Sequence, residues 1–176
     1  MVLDIGVAEV APERDAVFAA LAVPADQRGR PHLEELVSAA LGVFERTAAP
    51  VGIVADLSRE AFAQVYRGAR GNAPDSVVGD VFPHAGTLSL FVVTLGPAVS
   101  DAIAQRFEAS DFALAAAVDA IASEAADRAA EVTERRVERR LRDEGRLGGD
   151  DAARRYSPGY RGWDVSGHAG GGGAAP

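Results

Sequence analysis

Apolar residues recur at every third or fourth position from 114 to 132, as Leu114, Val118, Ile121, Ala125, Ala129 and Val132, and that spacing specifies one buried face of a long helix. The face is built largely of small side chains, so another backbone is expected to pack close against it. Ser110 or Asp111 is expected to cap the start, and Gly145, Gly148 and Gly149 to end the helix. Glu131 with Arg135 and Glu138 with Arg142 stand four residues apart in the order that supports an exposed helix face. A helix of this kind is stable only when other elements cover its apolar side.

Those elements are legible upstream. Residues 3–10 alternate well enough for a short strand, and 12–21 for a first helix. After a turn-rich loop through Pro24, Gly29 and Pro31, the positions Leu33, Leu36, Val37, Ala40, Leu41 and Phe44 mark a core-facing helix that Pro50 closes. Residues 51–55 form a short apolar run, Asp56 or Ser58 caps a brief helix to Tyr66, and 67–74 reads as a polar loop. The run 88–95 is the most apolar of the chain, and its length and β-branched content predict a buried strand. A short helix follows over 98–107. Strands and helices mix without regular βαβ alternation, which predicts a single α+β domain with an antiparallel or mixed sheet packed with the long alanine-rich helix. Residues 1–167 make up that domain, and the Gly/Ala tail 168–176 is expected to be disordered.

Composition excludes several chemistries. The chain has no cysteine, and all 18 residues counted as Lys or Arg are arginine, so thiol catalysis, Schiff-base lysines and a P-loop lysine are absent. His32, His84 and His168 stand far apart, with no partner at a metal-ligand spacing. No glycine-rich phosphate loop follows a strand, and no nucleophile elbow occurs. The formal charge of −8 argues against a general nucleic-acid partner. Between 135 and 161, however, nine arginines face five acids. This basic quarter could dock an anionic partner, though a solvated helix end and loop is the commoner meaning of such a pattern. Between Asp80 and Asp101 only His84 can carry a charge, but Pro83, Gly86, Gly96 and Pro97 interrupt the run, so no membrane span is expected. The first residues show no secretory pattern, which reads as cytoplasmic.

One segment stands apart: the only Trp and two of the three Tyr fall within 156–163, beside Arg154, Arg155 and Arg161. Pro158-Gly159 specifies a sharp turn in which glycine takes a positive φ and lets a ligand approach the backbone. An aromatic, arginine-flanked loop of this kind suits a ligand with a carboxylate for the guanidinium and a flat ring for backbone amides. The competing reading is a turn whose aromatics complete the core.

The run Arg155-Tyr156-Ser157-Pro158-Gly159-Tyr160, with Gly162-Trp163 and Val165-Ser166-Gly167 after it, resembles the signature loop of the activation domain of cobalamin-dependent methionine synthase, and more closely its short stand-alone relatives. Upstream, Leu90-Phe91-Val92-Val93-Thr94-Leu95-Gly96-Pro97, Asp111-Phe112 and Asp119-Ala120-Ile121-Ala122-Ser123-Glu124 are similar in order and spacing, so the resemblance spans about residues 30 to 168. The family commonly has Cys at the position of Arg161 and Gln at that of His168, and its chain continues where this one ends in a Gly/Ala tail, an ending that resembles truncation. The resemblance implies an S-adenosylmethionine site that serves the reductive remethylation of cobalamin. Arg155 would hold the methionyl carboxylate, Ser157 and Gly159 the adenine end, and Tyr160 would stand as the catalytic residue between ligand and corrin. The cobalamin would be held by a separate corrinoid-binding methyltransferase, with a flavodoxin-like protein as electron donor. The chain would then be one component of a methionine synthase system and not a complete enzyme. Two rival expectations are a docking subunit without a ligand site, using the basic stretch 135–161 to bind a corrinoid protein or flavodoxin, and an inert fragment.

Overall fold

The computed structural model describes residues 1–68, 85, 88–149, 151–159 and 163–164. In chain order these form β1 (Val2–Asp4), α1 (Val7–Val10), α2 (Arg14–Ala20), a 3-10 turn (Ala25–Gln27), α3 (Pro31–Thr47), β2 (Val51–Leu57), α4 (Arg59–Gly68), β3 (Leu88–Thr94), α5 (Pro97–Glu108) and α6 (Phe112–Asp143). The fold is α+β, with a three-stranded antiparallel sheet in the order β1-β2-β3 and the long helix expected from the apolar stripe. Val2 stands opposite Ile53, Leu3 opposite Gly52 and Asp4 opposite Val51. No described helix is long and apolar enough to cross a membrane.

The chain divides into two compact units, the first made of Met1–Ile53 and Val93–Arg135. Its core joins Phe18, Phe44, Ile5, Val10 and Val37 to the α6 stripe, where Val118, Ile121, Ala125 and Ala129 are fully buried. Each large side chain so buried contributes about 1.5–3 kcal/mol. Pro31 opens α3, where a missing N–H costs nothing, and the helix buries Val37, Ala40, Val43 and Phe44 on one face. The Arg14 guanidinium ties α2 to α3 through Glu34 at 2.8 Å and the Ser38 hydroxyl at 2.7 Å. Arg128 of α6 donates to the Ala11 carbonyl at 2.9 Å.

The second unit comprises Val54–Val92 and Arg136–Pro176. Val54, Val137 and Leu141 are buried there, and a separate cluster forms around Phe62, Tyr66 and Trp163. Ser58, rather than Asp56, caps α4, its hydroxyl accepting the Ala61 N–H at 3.1 Å.

Two expectations about the strands are corrected. The first strand stops at Asp4, and Val7–Val10 is a helical turn instead. There the Gly6 N–H donates to the Glu9 carboxylate at 2.8 Å, a local bond that closes the turn and points Val10 into the core. The run 88–94 is a strand, as its β-branched content predicted, but it is only half-buried, and Val92 is 51% exposed. Because β2 takes the middle of the sheet, β3 lies at an edge among the described residues. The expected polar loop 67–74 and the tail 168–176 lie mostly or wholly outside the described residues.

Candidate functional site

The segment after α6 begins with a well-defined helix end. Gly145 takes φ +69, and the Arg146 N–H returns to the Leu141 carbonyl at 2.8 Å, so the glycine expected to stop the helix does so through a left-handed C-terminal turn. The Arg142 guanidinium then staples the outgoing chain, donating to the carbonyls of Gly148 and Asp151, each at 2.7 Å, and to the Glu138 carboxylate at 2.8 Å. The expected pairing of Glu138 with Arg142 is thus present, and Arg135 approaches Glu131 at 3.8 Å.

Beyond this staple, Tyr156 stacks on Trp163 with ring centroids 6.4 Å apart and planes 11° from parallel. The Trp163 ring also meets Phe62 edge-on at 5.5 Å and Tyr66 at 6.4 Å. Leu57, Leu88, Leu90 and Tyr156 pack around these three rings, and Trp163 is 7% exposed. Such aromatic pairs add about 0.5–1.5 kcal/mol beyond the area they bury. Between the two stacked rings the chain bends at Pro158-Gly159, where Gly159 has φ +94 and donates its N–H to the Trp163 carbonyl at 2.8 Å. The bend requires glycine for its torsion, and a Cβ placed at Gly159 would meet nothing within 4 Å among the described residues.

Of the residues singled out from sequence, Arg155 is exposed, Ser157 is half-buried and Gly159 forms the bend. The three share one short loop. Tyr160 and Arg161 lie outside the described residues, as do His84 and His168. Among the described residues no three His, Cys, Asp or Glu side chains gather as a metal site.

The charge centre of this unit is Asp56, a residue the sequence reading took only as a helix cap. Its carboxylate accepts from Arg140 at 2.6 Å, from Arg146 at 2.7 Å and from the Ser89 hydroxyl at 2.7 Å. Burial alone raises its pKa, but Ser89, Arg146 and Arg140 together outweigh that and hold it at about 2. An acid embedded in the apolar strand 51–57, with a basic run far along the chain, was the available signal. Arg146 also meets Glu144 at 2.9 Å. Much of the basic stretch is therefore satisfied internally, whereas Arg139 and Arg154 have no ion-pair partner among the described residues.

Compared with family models and with curated proteins, the chain matches none.

Proposed function

We propose that the chain is an S-adenosylmethionine-binding module that serves a separate corrinoid-dependent methyltransferase in its reductive remethylation. The observation that supports this reading is the positive-φ bend at Gly159, flanked by Tyr156 and Trp163 of a buried aromatic cluster, with Arg155 exposed in the same segment. The stacking of Tyr156 on Trp163 fixes the described side of this bend, which lowers the entropic cost of capture there. Arg155 would pair with the ligand's carboxylate, and the backbone at Ser157 and Gly159 would meet its adenine end. Tyr160 would face the corrin held by the partner, and a flavodoxin-like donor would supply the electron. When bound, the sulfonium supplies the methyl group. The protein's own part is to orient it.

A second reading is favoured by a different observation. The indole of Trp163 and the ring of Tyr156 are committed to each other and to Phe62 and Tyr66, as in a loop whose aromatics complete a core. On that reading the chain is a docking subunit without a ligand site.

Titration calorimetry with S-adenosylmethionine separates the two. The wild type is expected to release heat of binding, and Arg155→Ala to lose about 1.5–3 kcal/mol, roughly tenfold to over a hundredfold in affinity, with its thermal midpoint little changed. A folded wild type that gives no heat overturns the ligand reading and leaves the docking one.

A further inference from the structure

The first unit holds sixteen acidic and seven basic residues, a formal −9, so it carries the acidity of the whole chain. It also contains a groove of about 330 Å³ between the end of β3, α5 and α6. Leu95, Ser100 and Ile103 line one side of it, and Asp119, Ser123 and Ala126 the other. That volume is at the small end of ligand cavities, and the groove is open along its length, so it suits side chains presented by a surface better than an enclosed small molecule.

The exposed residues beside the groove repeat at helix-pairing intervals. On α6 these are Phe112, Ala116, Asp119, Ser123 and Ala126, spaced four, three, four and three, and all are exposed. On α5, exposed Ser100 and Phe107 flank the half-buried Ile103 at spacings of three and four. Small side chains in such a seam let a third helix approach closely. One helical turn beyond Ile103, Phe107 meets Phe112 with ring centroids 6.3 Å apart, and the two rings are 46% and 61% exposed. An aromatic pair so exposed is an anchor of the kind found at binding surfaces.

Charge defines the occupant. Asp119 lies in the groove with no hydrogen-bond or ion-pair partner among the described residues, and Asp101, Glu108 and Asp111 are exposed along α5 and the turn into α6. The one arginine of that region, Arg106, turns back to the Ala102 carbonyl at 3.0 Å. We infer that this groove receives a basic amphipathic helix of a partner protein, with aliphatic residues entering between α5 and α6 and Arg or Lys facing Asp119 and the acidic turn. The inference does not depend on the S-adenosylmethionine reading, whose loop belongs to the other unit.

The test uses the full chain and a fluorescein-labelled synthetic peptide with a leucine face and an arginine face, followed by anisotropy. Wild type is expected to bind it, and Ala126→Trp, which fills the groove without changing charge, to weaken binding by about tenfold or more. Asp119→Arg is expected to weaken it at least as much, while Asp26→Arg, an equal charge change at an exposed site away from the groove, has a small effect. Circular dichroism checks that each variant folds, and Ser123→Trp replaces Ala126→Trp if that one does not. The inference is overturned if the wild type does not bind, if Asp26→Arg matches Asp119→Arg, or if filling the groove leaves binding intact. It is also overturned if sedimentation shows a dimer that Ala126→Trp converts to monomer, because the occupant is then a second copy.

Discussion

Asp56 is the residue whose chemistry is most sharply defined. Its carboxyl pKa falls from 3.8 to about 2 despite the opposing effect of burial, because two guanidinium groups and a hydroxyl converge on it. A carboxyl with a lowered folded pKa contributes stability that is present above its unfolded pKa, near 4, and is lost as pH falls through the folded value. Arg146 is 38% exposed, so solvent screening reduces the contribution below the full shift. Asp56→Asn is therefore expected to cost about 1–2 kcal/mol at neutral pH. The gap between wild type and variant narrows as pH drops from about 4 to about 2. Urea unfolding at a series of pH values checks this, and a gap independent of pH would show that the carboxylate is not the source. Gly159 is a contrasting case, because its role rests on torsion alone and was readable from the Pro-Gly pair. The network around Asp56 was not readable, since it joins residues 84 and 90 positions apart in sequence.

At the scale of elements, α6 and β2 meet where each has a small or polar residue. Thr133 is fully buried and its hydroxyl has no hydrogen-bond partner among the described residues. Opposite it, a Cβ on Gly52 would come within 3.2 Å of that oxygen and 3.6 Å of Ile5 and Leu3 side-chain atoms. A side chain at position 52 would thus crowd Thr133, as expected where strand and helix approach closely along the small-residue stripe of α6. Gly52→Ala is expected to destabilise by about 1–3 kcal/mol through overpacking. Thr133→Ala in the same chain recovers part of that loss, giving a coupling of at least about 0.5 kcal/mol in a double-mutant cycle. Strictly additive effects would mean that the two residues do not share the space the structure gives them. Helix periodicity placed α3 and α6 within a few residues because their apolar positions repeat over several turns. Strand β1 was overextended for the opposite reason: a few alternating residues fit a helical turn equally well, and the Gly6 to Glu9 bond chose the turn.

At the scale of the molecule, β2, β3 and α6 each contribute residues to both compact units, so neither unit is a separate stretch of chain. Unfolding is expected to be a single transition, with the fluorescence of Trp163, the sole tryptophan, tracking helical ellipticity as temperature rises. A fluorescence midpoint well below the ellipticity midpoint would mean that the aromatic cluster melts independently. The α+β class, the long helix with its buried stripe, the i, i+4 pairs and the glycine bend were all decided locally, by spacing and backbone torsion, and each could be read from neighbouring residues. Which strand lies in the middle, where the Trp163 indole is buried and which arginines are neutralised depend on groups that meet only after the chain has folded. Position in a sheet, burial and charge pairing are relations between distant segments, and no local pattern encodes them.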